Sequence, residues 1–223
     1  MAKASVVEKK RNSLFLSFLI LFSTQFSAIA KPVSFVVDDE LGRDNVSFTS
    51  DAPIELIIGR TTKVKGEIVI DDSLDLKKVL PKVSFEVDLA SIGTGIPLRD
   101  QHMRDNFLET QKYPKATFVV KSIEPDSDKL VNGGTVKLKA KGNFTVHGVT
   151  VQKEISVQLN YLKESDFTHN KFEHGDLIRI RADFEVPLEE HKIQRPEVLK
   201  QKLANTAIVF IDAFAHEKKE DKK

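Results

Sequence analysis

Hydrophobic and polar residues alternate with a period of two along much of the chain. From Val136 to His147, every second residue is apolar or glycine and the residues between are polar. The segment from Ile155 to Tyr161 repeats this pattern. Because successive side chains of a β-strand point to opposite faces, both runs predict strands with one buried face. Between them, His147-Gly148-Val149-Thr150 predicts a hairpin turn in which Gly148 takes a positive φ.

Shorter segments of the same kind occur throughout the chain. Clear alternation predicts strands at 83–87, 117–121 and 178–186. Weaker patterns predict further strands at 33–37, 46–49, 54–58, 64–70 and 206–215. Eight or more antiparallel strands with one apolar face each form a sandwich or a barrel, so the predicted fold class is all-β.

Three segments interrupt the alternation. The residues from Ser73 to Val79 are compatible with a short helix capped by Ser73. The segment from Asp100 to Glu109 places its apolar residues about one turn apart and predicts a second helix. The segment from Pro196 to Ala204 predicts a third helix, with proline in its first turn. Its residues expected to be buried are Val198, Leu199 and Leu203.

The first thirty residues differ from the rest of the chain. Three basic residues at 9–11 precede an apolar run from Leu14 to Phe22, and Ala28-Ile29-Ala30 matches an A-x-A cleavage pattern. This apolar run is too short to span a bilayer, which needs roughly 20 residues. We therefore predict a secretory signal peptide over 1–30, cut after Ala30, and a protein that is periplasmic or secreted.

Composition excludes several classes of protein. The 223 residues are 40% hydrophobic and 30% charged, and they include no cysteine. Disulfides, thiolate zinc sites, cysteine nucleophiles and a lipid on an N-terminal cysteine are therefore excluded. The net charge of +1 gives no basic footprint for nucleic acid, and no later stretch reaches transmembrane length. We predict one domain over 31–215 and a solvated, charged tail over 216–223.

The sequence gives little indication of catalysis or metal binding. G-x-S-x-G, H-E-x-x-H, P-loop and dinucleotide-binding patterns do not occur. His169 and His174 lie near Glu173 and Asp176, but without a closed ligand set they predict a solvated loop rather than a metal site. We expect no catalytic residue, no metal and no cofactor.

The interior of such a barrel has two interpretations. A small eight-stranded barrel is either filled by its side chains or holds one ligand. A dry void of ~500 Å³, at ~24 cal/mol per Å³, would cost roughly 12 kcal/mol, which is comparable to a whole domain's stability of about 5–15 kcal/mol. A large apolar interior is thus either packed with side chains or occupied by a ligand. The ligand that it favours is a long hydrocarbon.

Two motifs resemble signatures of the YceI-like family. The first begins with Ser91-Ile92-Gly93-Thr94-Gly95, continues from Leu98 to Arg104 (LRDQHMR), and closes with Phe107 and Lys112 to Phe118 (KYPKATF). The second runs from Gly142 to Thr150 (GNFTVHGVT). The resemblance implies a lipocalin-like, extended antiparallel barrel of eight strands that holds a polyisoprenoid, often an isoprenoid quinone. It also implies a periplasmic or secreted protein and, in many relatives, a homodimer.

The predicted ligand-binding residues form two groups. Arg99, Asp100 and His102 lie with Arg104 in a polar cluster, which would contact a lipid head group at the barrel mouth. The alternative for this cluster is a helix N-terminus capped by Asp100. The second group is the apolar lining, although alternation alone does not separate it from ordinary core. Its members are Phe85, Val87, Met103, Phe107, Phe118, Val120, Leu138, Phe144, Val146, Ile155, Val157, Leu159, Ile180 and Phe184.

The predicted function is an exported binding protein, not an enzyme, that sequesters or carries a polyisoprenoid lipid in its barrel. Two alternatives stay open at this point. The first is a stress-related structural or interaction protein of the same fold, with a dry core. The second is an isoprenoid-modifying enzyme with scattered catalytic groups, for which Asp100 and His102 are the candidates.

Overall fold

The computed structural model describes residues 31–78, 80–169 and 175–218, and antiparallel strands make up its framework. Ten strands lie within these described ranges. They are β1 (Pro32–Val37), β2 (Asn45–Ala52), β3 (Glu55–Thr61), β4 (Val64–Asp71), β5 (Lys82–Asp88), β6 (Lys115–Pro125), β7 (Thr135–Val146), β8 (Val149–Leu162), β9 (Leu177–Pro187) and β10 (Thr206–Glu217).

Eight of these strands close into a barrel. The order around the ring is β1-β4-β5-β6-β7-β8-β9-β10, and β10 pairs again with β1. Closure uses two residue pairs, Phe35 with Glu217 and Val36 with His216. The remaining strands, β2 and β3, form a hairpin whose β2 pairs with β10 over Ile208–Asp212. The predicted all-β, eight-stranded antiparallel barrel is confirmed, with this hairpin added to its wall.

A buried carboxyl group occupies the place where β10 changes partner. β10 pairs with β2 as far as Asp212 and with β1 from His216 onward. Between them, the backbone N–H of Phe214 donates to Oδ1 of Asp44 at 2.8 Å, and Asp44 is fully buried. Burial raises the pKa of Asp44 to about 6, although the hydrogen bond from Phe214 opposes the shift. Asp44 thus replaces the missing strand partner at the seam of the barrel.

The β7–β8 hairpin matches its sequence pattern closely. Its register runs from Thr135 opposite Asn160 to Val146 opposite Val149. His147 and Gly148 form a two-residue turn, with φ angles of 52° and 71°. Two positive φ values are the requirement of a type I′ turn, whose twist matches that of antiparallel strands. The predicted hairpin turn is therefore confirmed.

The segment predicted as a helix at 73–79 consists of turns instead. Leu74 takes a φ of 55°, and Oδ1 of Asp71 accepts the backbone N–H of Ser73 at 2.8 Å. Asp75 then accepts two amides of the following turn. Such local side-chain hydrogen bonds compete with the helical ladder, so the prediction is wrong for the described part of this segment.

Short helical segments lie between the strands. Helix α1 (Pro97–His102) begins three residues before the predicted start, since proline suits a first helical turn, and continues into a π-helical turn (Met103–Phe107). A one-turn helix, α2 (Asp166–His169), was not predicted. Single 3₁₀ turns occur at Leu89–Ser91, Glu189–His191 and Glu197–Leu199.

The helix predicted at 196–204 is reduced to one of those turns. Pro196 is still extended, with ψ 146°, so helical geometry covers only Glu197–Leu199. Val198 is 82% exposed, and its predicted burial is wrong. Leu199 and Leu203 instead face the barrel interior.

Both ends of the described chain bear on the sequence predictions. The predicted signal peptide at 1–30 lies outside the described residues, as do residues 170–174 with His174 and Glu173, and residues 219–223 of the tail. β10 continues to Glu217, because His216 and Glu217 pair with β1, so the strand includes two residues assigned to the tail. None of the helices in the described ranges has the length and hydropathy needed to cross a membrane.

Candidate functional site

A cavity of about 570 Å³ occupies the barrel. Its wall consists of inward-facing residues of β4 to β10, the β2–β3 hairpin and the helical segment 97–107. Almost all of the described wall is apolar, and its titratable side chains are Glu55, Arg99, His102 and Lys202. Such a wall recognises a ligand mainly by the apolar area it removes from water.

The cavity has one closed end and one open end. Leu76, Pro81 and Leu130 line the closed end and are buried. At the other end, the exposed wall residues are Ile96, Leu98, His102 and Lys202. They belong to the β5–β6 and β9–β10 connections, whereas the closed end belongs to the β4–β5 and β6–β7 connections. The mouth therefore opens between α1 and the segment before β10.

Glycine–phenylalanine pairs keep the interior open. Phe85 on β5 lies opposite Gly66 on β4, and Phe48 on β2 lies opposite Gly59 on β3. A Cβ atom on either glycine would overlap the facing ring. Each ring therefore lies across its glycine on the neighbouring strand, which leaves space along the barrel axis.

Arg99 joins two sides of the mouth. Its Nη1 donates to Oε1 of Glu55 at 3.0 Å, which connects α1 with the start of β3. Its Nε donates to the hydroxyl of Thr94 at 2.8 Å and its Nη2 to the Thr94 carbonyl at 3.0 Å. The guanidinium group is thus held at the rim by three acceptors.

Asp100 supports the loop rather than the cavity wall. Its Oδ1 accepts the backbone N–H of Thr94 at 2.8 Å and also the Thr94 hydroxyl. Desolvation raises the pKa of Asp100, but these hydrogen bonds and the nearby Arg104 and Arg99 outweigh it and hold the pKa below the usual value. The carboxylate therefore stays ionised and fixes the loop that precedes α1.

The structure places the other sequence-predicted ligand residues on the cavity wall, except Arg104, which lies outside the cavity and lines a separate pocket with Asp105 and Glu109. Arg99 and His102 lie at the mouth, and Met103 and Phe107 lie on the π-helical turn beside it. The strand residues face inward, as their alternation predicts. These are Phe85, Val87, Phe118, Val120, Leu138, Phe144, Val146, Ile155, Val157, Leu159, Ile180 and Phe184.

Several parts of the wall were not predicted as ligand-binding, among them inward-facing residues of β4 and β10, the β2–β3 hairpin and the β9–β10 connection. The hairpin contributes Val46, Phe48 and Ile57, whose alternation is short and weak in the sequence. The β9–β10 connection contributes residues that a strand pattern does not reveal. These are Leu188, Ile193, Leu199 and Leu203. The weak alternation of apolar residues in β2 and β3 does indicate which side chains face inward. It does not show that this hairpin joins the barrel.

A histidine network anchors the end of the helical segment. The Nδ1 of His147 lies 3.0 Å from the carbonyl oxygen of His191, and its Nε2 lies 2.6 Å from Oε2 of Glu109. A ring protonated on both nitrogens donates to both oxygens. His191 is fully buried, and its burial lowers its pKa, while its Nδ1 lies 3.1 Å from the carbonyl oxygen of Val149. The network joins three connections at the mouth end of the barrel.

Solved structures share this fold. A polyisoprenoid binding domain from Saccharophagus degradans implicated in plant cell wall breakdown superposes with a TM-score of 0.64 at 18% identity, covering 83% of this chain and 99% of that one. BcnA from Burkholderia cenocepacia gives a TM-score of 0.61 at 16% identity, covering 80% of this chain and 98% of that one. At these identities the likeness concerns the fold alone.

Sequence relatives extend the comparison. A UPF0312 protein of Vibrio campbellii is 31% identical, over 75% of this chain and 88% of its own length. Protein YceI of Escherichia coli O157:H7 is 27% identical, over 70% of this chain and 75% of its own length. The family model of the YceI-like domain matches residues 35–213, from the second half of β1 to β10. This chain therefore belongs to the YceI-like family.

Proposed function

We propose that this protein is an exported, periplasmic or secreted, carrier of a polyisoprenoid lipid. The observation that carries the proposal is the apolar cavity of about 570 Å³, which has the size of a ligand site, for which ~300–1,000 Å³ is usual. The S. degradans protein of the same fold is named for polyisoprenoid binding, which supports the choice of lipid. The signal peptide predicted over 1–30 supports export.

Energetics favour an occupied cavity over a dry one. At ~24 cal/mol per Å³, an empty cavity of this size would cost roughly 14 kcal/mol, close to the entire stability of a domain. A hydrocarbon chain removes this cost and gains about 0.8 kcal/mol for each methylene group it buries. Tight binding that survives purification is the expected behaviour.

The distribution of charge orients the lipid. The titratable wall residues Arg99, His102 and Lys202 lie at the mouth, and Arg99 is already paired with Glu55. The isoprenoid tail therefore lies between the closed end and the mouth, with its head group beside His102 and Lys202. A quinone or phenol oxygen can accept or share a hydrogen bond there while it remains hydrated. Binding rather than catalysis is the activity we propose for these groups.

Native mass spectrometry followed by organic extraction tests the function. The purified protein is expected to carry one isoprenoid per chain, and fragmentation of the extracted lipid gives its carbon number and head group. As a control, the protein is denatured first and is then washed and extracted in the same way. This control measures lipid that binds to the chain without a folded cavity. A stable folded protein of unliganded mass, unchanged by added solanesol in detergent, would reject the proposal and favour an interaction protein with a dry core.

A further inference from the structure

Three segments form the rim of the cavity mouth. They are the β2–β3 turn at 52–56, the loop and first turn of α1 at 94–99, and the segment at 197–203. Glu55 and Arg99 join the first two segments through their 3.0 Å ion pair. The backbone N–H of Ile54 donates to the carbonyl of Gln201 at 3.1 Å and joins the first to the third. The rim is therefore one connected surface.

Each rim segment exposes large apolar side chains. The rim set consists of Ile54, Leu56, Ile96, Leu98 and Val198. Their exposed fractions lie between 50% and 82%, although the cavity beside them has room for apolar groups. Single exposed apolar residues are ordinary, but a set on adjoining segments around one opening indicates an interaction surface.

The rim continues the cavity wall to the outside. Ile96 and Leu98 both line the cavity and face solvent, so an apolar path leads from the interior to the surface. A hydrocarbon that entered through water would expose its methylene groups during the transfer, which is unfavourable in proportion to the area exposed. If the rim contacts the source of the lipid directly, the methylene groups are not exposed to water during the transfer.

Charged groups around the rim suit a phospholipid surface. Lys200 and Lys202 lie on the third segment, and long lysine side chains extend their ammonium groups to head-group level while their stems stay in apolar surroundings. The neighbouring carboxylates Glu55 and Glu197 are each paired, with Arg99 at 3.0 Å and Lys200 at 2.6 Å. Cations beside an exposed apolar set are the combination that binds bilayer interfaces.

We propose that the rim set docks on a phospholipid bilayer, so that a polyisoprenoid passes directly between membrane and cavity. The apolar side chains enter the head-group boundary, and Lys202 meets the phosphates while Lys200 stays paired with Glu197. The proposal rests on the proposed lipid-carrying function for its purpose, but docking is measurable without any isoprenoid. A second copy of the chain over the rim is the competing occupant.

Flotation with vesicles tests the docking. The vesicles contain phosphatidylethanolamine and phosphatidylglycerol at 3:1, and the protein is used as its host cell processes it, with its N-terminus determined by mass spectrometry. The double variant Ile54→Ser/Leu56→Ser is expected to bind about 100-fold more weakly, since each side chain contributes about tenfold, and neither of them lines the cavity. Val131→Ser is the matched control, because Val131 is 63% exposed in the β6–β7 connection at the closed end.

Parallel measurements separate the possible outcomes. Equal vesicle binding by wild type, double variant and control overturns the docking proposal, and so does a rim variant that only converts a dimer into monomers in light scattering. Solanesol delivered in detergent reports on the cavity alone and should bind wild type and rim variants alike. Vesicle binding without solanesol binding would reject the carrier function and leave the docking surface in place.

Discussion

The ring of Phe85 lies across Gly66 of the neighbouring strand, in the space that a Cβ at position 66 would need. The volume of the cavity therefore depends on the absence of a side chain at position 66. Phe48 over Gly59 repeats it on the hairpin. These two aromatic rings add apolar area to the wall without filling the barrel, because each lies across a glycine.

Gly66→Ala is expected to displace the Phe85 ring into the cavity. Overpacking of this kind costs about 1–3 kcal/mol in free energy of unfolding, and the smaller cavity should carry less lipid. Chemical denaturation and native mass spectrometry measure the two effects. Adding Phe85→Leu should restore part of both, because the two side chains share one space. Gly93→Ala is the control, since a Cβ there meets only Oδ2 of Asp100 at 3.7 Å. An equal loss in this control would contradict the explanation.

Ala182→Leu tests the cavity by adding side-chain volume directly to its wall. Ala182 is buried on the wall, and leucine adds three carbon atoms to the lumen at this position. The variant should fold and retain less lipid, because its added carbons take space that the ligand needs. Ser156→Leu places the same side chain at an exposed position on β8 and should carry lipid as the wild type does. Unchanged lipid occupancy in Ala182→Leu would count against an occupied lumen.

Asp44 gives the protein a pH dependence with a defined sign. Its pKa is about 6 in the folded chain and 3.8 as its ordinary value, so the native state holds this proton more tightly than the unfolded chain. Its contribution to stability is therefore fully present below about pH 4 and is lost as the pH rises to 6, by roughly 3 kcal/mol.

Asp44→Asn should remove this dependence. The amide oxygen can still accept the N–H of Phe214, but the side chain no longer titrates. The difference in free energy of unfolding between wild type and variant should change between pH 4 and 6 and stay constant above pH 7. Urea denaturation at unit steps of pH measures it. Parallel curves for the two proteins would show that Asp44 does not bind its proton more tightly in the folded state.

The contact between His147 and Glu109 should stabilise the segment that follows the π-helical turn. A coupling of about 1 kcal/mol is expected, because the carboxylate is partly exposed and solvent weakens the interaction. Single and double variants, His147→Gln and Glu109→Gln, measure it in a double-mutant cycle. Hydrogen exchange should rise over residues 103–113 in each single variant. Additive effects without altered exchange would show that the two side chains are not coupled.

The strands were predictable because burial is one-sided in this barrel. Leu138 and Ala140 face the cavity while Lys139 between them faces water, and the sequence alternates accordingly. The helices predicted at 73–79 and 196–204 are wrong over the described residues, because local carboxylate hydrogen bonds determine the turns at 73–78 and Pro196 is extended. Apolar content alone does not reveal either effect.

The sequence alone does not predict contacts between residues that are distant along the chain. Asp100 resembles a head-group ligand in the sequence, yet its carboxylate is committed to Thr94. The pairing of Phe85 with Gly66 depends on the register of β4 and β5, which no local pattern specifies. The contribution of the hairpin to the cavity depends likewise on which edge of β10 it occupies.

The pairing of Phe35 with Glu217 has a consequence for the order of folding. The β7–β8 hairpin can form early, since its strands are joined by a two-residue turn, whereas closure of the ring joins residues near opposite ends of the chain. β10 also provides the edge on which β2 and β3 assemble. A chain that lacks β10 therefore cannot close the barrel, and the lipid loading that we propose must follow the pairing of β10 with β9 and β1.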